Sequence, residues 1–245
     1  MISLSVVCES RADFDLISCL VDRSLTENID WIDGTVVNDY RQWFADGSDQ
    51  DLFYKWGSIK RLCREHRIKV HGHFNGAAGN PDAAAGRRAL HLVRRLAGSM
   101  INVILLIRDQ DDQPERLDGL QQSVTEFQSS FDLPVIIGLA VIEREAWLLS
   151  GFIPSGQQEL DLLEMVRKEV GFDPTSKPHR LDAAKDDLAL KSPKRVLGIL
   201  TANEYVRELQ CTEVTPIDIL KRNGTDNGLS FLLNDIETKI VPMFK

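Results

Sequence analysis

Residues 102–113 have the sequence NVILLIRDQDDQ, and they indicate which fold class this chain adopts. The residues from Val103 to Ile107 are all apolar, so this segment can be buried on both sides. A strand without a polar face is typical of a parallel sheet that helices cover on both faces. The segment then ends on three aspartates, Asp109, Asp111 and Asp112. We therefore expect an α/β fold in which a central strand brings carboxylates to one edge of the sheet.

Three other segments have the composition of strands, at residues 3–8, 68–74 and 133–141. Apolar residues recur at helical spacing in the connections between the strands, and this spacing predicts a helix in each connection. Strands that alternate with helices give a mainly parallel sheet. We therefore predict a four-stranded, mainly parallel sheet with helices on both faces. In the order 2-1-3-4, the first and third strands would be neighbours.

The predicted secondary structure changes at about residue 150, from alternating strands and helices to helices alone. Residues 1–150 contain all the predicted strands, and residues 28–57 within them are irregular and rich in aromatic side chains, which we interpret as an insertion. Residues 151–245 have only helical patterns, so we predict a helical C-terminal extension.

Composition excludes several classes of protein. The chain has 245 residues and a net charge of −8, which is unsuited to coating nucleic acid through overall charge. It lacks the apolar run of roughly 18–20 residues that a membrane span requires. The N-terminal residues lack the basic lead and cleavage site of a secretory signal, so we expect a cytoplasmic protein. The four cysteines form no Cys-x-x-Cys pair, and we expect them to be reduced.

Acidic residues follow three of the predicted strands. Glu9 follows the first strand, Asp109 and Asp111 follow the third, and Glu143 and Glu145 follow the fourth. Ligands of open parallel sheets bind beyond the carboxyl ends of the strands, so we expect these side chains to converge there. In an extended chain, Asp109 and Asp111 would point to the same side.

Such a cluster favours a cation. Two carboxylates about 4 Å apart repel each other by roughly 4 kcal/mol at an effective dielectric constant near 20. A hard divalent ion such as Mg²⁺ (or Mn²⁺) would offset this repulsion, since it binds carboxylates, water and substrate phosphates. The sequence therefore predicts a metal site made by Glu9, Asp109, Asp111 and Glu145.

Other interpretations of the acids are open. A strand followed by a solvated acidic turn is common, and this interpretation suffices for residues 109–112. Glu145 also fits the first turn of a helix, where an acid interacts favourably with the helix dipole. Ser10 and Asp13 have the spacing of a capping box, and we assign them to the start of the first helix. The cation site is favoured by the occurrence of acids after three strands rather than one.

The order of these motifs resembles a known family. Residues 6–17 (VVCESRADFDLI), 105–113 (LLIRDQDDQ) and 143–151 (EREAWLLSG) resemble the Toprim domain of OLD-type nucleases. They resemble more closely the stand-alone Toprim-like proteins that are encoded beside ABC-type ATPases in bacterial phage-defence loci. Ser10 stands where the family usually has glycine, and residues 28–57 have no counterpart that we can name.

The resemblance implies a function for the acids. Glu9, Asp109, Asp111 and Glu145 would bind Mg²⁺ or Mn²⁺ and catalyse hydrolysis of a phosphodiester bond in nucleic acid. It further implies an ABC-type ATPase as the partner protein. A competing function is that of an interaction subunit, a catalytically degenerate Toprim fold that acts through the partner ATPase.

Three other motifs suggest different chemistry. His71 and His73 have the spacing of a transition-metal pair, but no further ligands have matching spacing. The glycine-rich NGAAGN that follows them lacks the lysine of a P-loop, which disfavours ATP hydrolysis by this chain. The Asp-x-Asp of residues 109–111 is similar to that of haloacid dehalogenase-type phosphatases, in which it follows the first strand rather than the third.

Basic residues of the helical section are candidates for contact with nucleic acid. They either contact phosphates near the carboxylates or are ordinary surface charges. These residues are Lys177, His179, Arg180, Lys191 and Lys194.

Overall fold

The computed structural model describes residues 1–45, 52–74, 76–182 and 186–244. Within them the chain forms strands that we number in order. These are β1 (Ile2–Cys8), β2 (Arg41–Trp43), β3 (Tyr54–Lys55), β4 (His73–Phe74), β5 (Ala77–Ala78), β6 (Val103–Asp109) and β7 (Val135–Ala140). The helices are α1 (Arg11–Asn28), α2 (Val37–Tyr40), α3 (Trp56–Glu65), α4 (Ala83–Ala97), α5 (Arg116–Gln128), α6 (Arg144–Ser150), α7 (Gln157–Val170), α8 (Pro193–Thr201), α9 (Tyr205–Glu213), α10 (Ile217–Asn223) and α11 (Leu229–Lys239), with short 3-10 helices at Pro178–Arg180 and Val241–Phe244.

The main sheet is parallel and has the order β2-β1-β6-β7. β3 also pairs with β1, at Val7 and Cys8, and it lies beyond β2 on the side of β1 that faces away from β6. β2 and β3 thus form one interrupted outer strand. The predictions of an α/β class and of a mainly parallel sheet are confirmed.

The predicted second strand at residues 68–74 is wrong. Only His73 and Phe74 of this segment are extended, and they pair antiparallel with β5 in a separate hairpin. Lys69 and His71 are exposed, and polar residues at every second position leave this segment no second apolar face. The outer place beside β1, which we predicted for the second strand, is instead filled by β2 and β3. Both lie within the segment that we predicted as an insertion.

Helices cover both faces of the sheet, as predicted. Alternating residues of β1 and β6 supply the two cores. Leu4 and Leu105 pack with α1 and with helices of the C-terminal section, whereas Val7 and Leu106 pack with α3, α4 and α5. No helix in the described part of the chain is long and apolar enough to span a bilayer.

The helices after residue 150 share a core with the sheet. α11 packs against β7 and α1, so the C-terminal section covers the α1 face of the sheet. The division of the chain at residue 150 stays a prediction about domains, but the two sections are joined through one hydrophobic cluster.

Asn227 connects the C-terminal section to the carboxyl edge of the sheet. Its side-chain nitrogen donates to the carbonyl of Ala146 and to the hydroxyl of Ser150, each at 2.8 Å. Its backbone carbonyl accepts hydrogen bonds from Val141 N and from the indole of Trp147, at 3.0 and 2.8 Å. Because Asn227 is fully buried, water cannot replace these partners.

We expect Asn227→Ala to lower the free energy of unfolding by about 2–3 kcal/mol, because it removes three buried hydrogen bonds, two to α6 and one from Leu229 N. Urea titration measures this change. Asn234→Ala, at an exposed position of α11, is the control and is expected to stay within about 0.5 kcal/mol of wild type. Equal stability of the two variants would contradict the assigned role of Asn227.

Candidate carboxylate site

The predicted acids lie at the carboxyl edge of the sheet. Glu9 follows β1, Asp109 is the last residue of β6, and Glu145 lies in the first turn of α6, just beyond β7. A cavity of about 10 Å³, the size of a single water molecule, opens beside Glu9 and Asp109. It is lined by Glu9, Asp13, Leu16, Ile17, Ile107, Arg108, Asp109, Arg144 and Trp147.

Asp109 is at the centre of the cluster. Burial, and then the negative charges of Glu145, Asp13, Glu9 and Asp111, raise the pKa of Asp109 to about 8. Within the residues that the structure describes, no arginine or lysine forms an ion pair with its carboxylate. The structure therefore brings the other three predicted acids together around Asp109, and it adds Asp13.

Asp111 does not point in the direction that we predicted. β6 ends at Asp109, and Asp111 has a left-handed backbone with φ +49°, so the alternation of side chains in a strand does not extend to it. Its backbone N–H donates to Ile142 O at 2.9 Å. Its carboxylate turns to Arg116, with Oδ2 2.8 Å from Nη1.

Arg116 is the most enclosed cation of the site, with 4% of its side chain exposed. Its Nε lies 2.5 Å from Asp82 Oδ2, and its Nη1 also donates to the backbone carbonyl of Asp109. Asp82 precedes α4 and is held there by a close approach of two helices: a Cβ added to Gly119 of α5 would lie 1.6 Å from Pro81 O. Arg116 therefore joins the ends of β6, α4 and α5.

On the other face of the sheet, Arg144 joins Asp13 and Glu145. Its Nη2 is 2.8 Å from Glu145 Oε1, and its Nε is 3.4 Å from Asp13 Oδ1. The predicted capping box is confirmed, since Ser10 accepts from the backbone of Asp13 and the Asp13 carboxylate accepts from the backbone of Ser10. Asp13 thus caps α1 and also faces the cluster.

Of the predicted basic residues, Lys194 is the one placed beside the acids by an ion pair. Its Nζ lies 3.6 Å from Glu143, a buried acid whose pKa burial raises. His179 lies 3.6 Å from Asp226, and the Arg180 guanidinium lies 4.7 Å from the centre of the Phe172 ring. Lys177 is exposed and Lys191 is partly buried.

The donor atoms fit Mg²⁺ in kind, since they are carboxylate oxygens. Their arrangement is less favourable: across the described ranges, no three His, Cys, Asp or Glu side chains are placed to hold one ion. Arg116 holds Asp111 and Arg144 holds Glu145, so cation binding requires these side chains to turn. His71 and His73 are both exposed, and in the part of the chain that the structure describes neither belongs to a group of three metal-ligating side chains.

Sequence reasoning missed the arginines of the site. Arg108 and Arg144 directly precede Asp109 and Glu145, so their proximity to acids was legible in the sequence. Arg116 and Asp82 had no such signal. They lie 34 positions apart in the numbering, and only the packing of α4 on α5 brings them together.

Comparison with protein-family models, with curated proteins and with solved structures finds no match for this chain. The resemblance to Toprim-like proteins therefore stays a prediction.

Asp109 is expected to make stability depend on pH. Its carboxyl ionises near pH 4 in the unfolded chain and near pH 8 in the folded one, so unfolding releases a proton between these values. In chelator, stability from this group falls as pH rises through that window, by up to about 1.4 kcal/mol per pH unit.

Asp109→Asn removes the ionisation, so its stability relative to wild type should increase from pH 5 to pH 8. Urea titrations at several pH values in chelator measure this difference. Asp112→Asn, an exposed acid of the same turn, is the control and should show no such trend. A difference between Asp109→Asn and wild type that is constant with pH would contradict the assignment.

Proposed function

We propose that this chain is a metal-dependent nuclease that hydrolyses phosphodiester bonds in bacterial anti-phage defence. The observation that carries the proposal is the gathering of Glu9, Asp13, Asp111 and Glu145 around a partly buried Asp109; burial first, and then these charges, raise the pKa of that carboxyl to about 8. A poorly solvated acid among four others is costly to ionise and gains most from a nearby cation. Its position beyond the carboxyl ends of parallel strands is where such sheets bind ligands.

Glu9, Asp109, Asp111 and Glu145 are the residues that would hold Mg²⁺ or Mn²⁺. When bound, the cation supplies charge stabilisation to a phosphodiester undergoing displacement. Arg144 fixes the orientation of Glu145 through the 2.8 Å ion pair, and Arg116 provides the same constraint for Asp111.

Glu9 is also a candidate for proton transfer. Its side chain is 44% exposed, so it is accessible to water and to substrate. Burial, followed by the charges around it, raises the pKa of Glu9, and a carboxyl with a raised pKa accepts a proton more readily at neutral pH. Glu9 is therefore the residue that we assign to proton transfer, in addition to its place beside the cation.

The test is cleavage of plasmid DNA and total RNA by purified protein in Mg²⁺, in Mn²⁺ and in chelator. We expect divalent cation-dependent cleavage, reduced more than about 100-fold in Asp109→Ala/Asp111→Ala. Asp112→Ala, in the same exposed turn, should cleave like wild type. Cleavage that survives in chelator or in the double variant would place the active site elsewhere.

A second function is favoured by the ion pairs of Arg116 and Arg144, which neutralise Asp111 and Glu145 without a metal ion. On this alternative, the chain is a degenerate Toprim-fold subunit that acts through an ABC-type ATPase. Purified chain would then cleave neither substrate, and surface variants would impair co-purification with the ATPase while Asp109→Ala would not.

A further inference from the structure

We propose that Arg108 forms a phosphate-binding subsite beside the carboxylates, where it takes a backbone phosphate of the nucleic acid that the site cleaves. The inference rests on the proposed nuclease function and names the residue that positions its substrate. It follows from the placement of Arg108, from its aromatic platform and from the looseness of its ion pairs.

Arg108 stands directly beside the central acid of the cluster. It precedes Asp109 in β6, and neighbouring residues of a strand point to opposite faces, so Arg108 lies on the α3 and α4 side. Both residues line the small cavity at the edge of the sheet, together with Glu9. A phosphate held by Arg108 would therefore lie next to the carboxylates.

A tryptophan holds the guanidinium of Arg108 in place. The guanidinium carbon lies 5.1 Å from the centre of the Trp56 ring. Trp56 is itself fixed, because its indole N–H donates to Ile107 O at 2.7 Å. An arginine stacked on an aromatic ring keeps the N–H groups of its edge available for paired hydrogen bonds to a phosphate.

The ion pairs of Arg108 have longer N–O distances than those of Arg116. Arg108 Nε lies 3.4 Å from Asp82 and 3.8 Å from Glu9, whereas Arg116 Nη1 donates a hydrogen bond to Asp111 at 2.8 Å. The Nε atoms of both arginines are buried without a hydrogen bond in the described structure, so the contrast lies in the other bond that Arg116 makes. Arg116 already neutralises Asp82 at 2.5 Å. Asp82 therefore does not require Arg108, and Arg108 is the arginine of the site that can turn to a ligand at least cost.

The charge of the neighbouring carboxylates determines whether a phosphate can bind to Arg108. Without a divalent cation, Glu9 and Asp109 repel an approaching phosphate, since like charges in a poorly solvated site interact strongly. With the cation bound, that repulsion is removed and Arg108 can exchange Glu9 for a phosphate. Binding of nucleic acid should therefore depend on a divalent cation, and Arg108 should carry much of the cation-dependent part.

The test is fluorescence anisotropy of a labelled DNA duplex and a labelled RNA strand with the full chain, in Ca²⁺ and in chelator. We expect Arg108→Gln to weaken binding in Ca²⁺ about 10-fold, equivalent to about 1.4 kcal/mol. The slope of log affinity against log salt for the duplex should become shallower by about 0.9, as expected for one lost phosphate contact. Arg108→Lys keeps the charge but not the paired hydrogen-bond geometry, so its affinity should lie between those of wild type and Arg108→Gln.

Arg94→Gln is the matched control. Arg94 also stacks on an aromatic ring, at 5.4 Å from the centre of Phe131, and the substitution changes net charge equally. It lies in the last turns of α4, which precede β6, and so at the opposite edge of the sheet. Its affinity and salt slope should match those of wild type.

The outcomes separate this inference from the proposed nuclease. Wild-type affinity and salt slope in Arg108→Gln, or no binding of nucleic acid by wild type in Ca²⁺, would overturn the subsite. If wild type nevertheless cleaves in Mg²⁺, the nuclease function stands and only the role of Arg108 fails. Thermal unfolding of Arg108→Gln checks that any loss of binding occurs in a folded protein.

Discussion

Charge balance at the carboxyl edge of the sheet is the constraint on which this structure depends. β6 is buried along its apolar length and ends on Asp109, whose carboxylate has no cation paired with it in the described residues. Around it, three arginines hold the other acids: Arg108 pairs with Glu9 and Asp82, Arg116 with Asp82 and Asp111, and Arg144 with Asp13 and Glu145. Each arginine joins acids from different elements, so the ion pairs also fix how the elements meet.

The backbone at this edge of the sheet is also held in unfavourable conformations. Asp111 and Ile142 both have left-handed φ values, +49° and +76°, and a hydrogen bond joins Asp111 N to Ile142 O. A left-handed conformation is costly for a β-branched residue, of the order of 1–3 kcal/mol. The packing around it stabilises this conformation, because Asn227 binds Val141 N and Trp147 next to it. Strain of this kind concentrates at sites where side chains must be placed against their preference.

The sequence predicted the parts of this fold that one segment determines alone. The apolar runs of β6 and β7, and the segment of β1 with its small serines, can be buried on both faces, and they occupy neighbouring positions in the sheet. The outer strand was misplaced because edge strands need only one buried face, so Arg41–Trp43 has no distinctive pattern. The acids Glu9, Asp109 and Glu145 were found because each lies at the end of an apolar strand or a few residues beyond it. The direction of Asp111 and the role of Arg116 could not be predicted in this way. The first depends on a left-handed turn, and the second depends on the contact between α4 and α5.

Calorimetric titration of Mn²⁺ into the wild-type chain and into Asp109→Asn, near pH 7, tests the central claim most directly. If the carboxylates form a cation site, wild type binds Mn²⁺ with release of protons, because the raised pKa of Asp109 means that the carboxyl loses a proton when the cation binds. Asp109→Asn should bind more weakly and release fewer protons. Absence of binding by wild type, or identical titrations of the two proteins, would contradict the account and leave the arginines as the permanent counter-ions of the cluster.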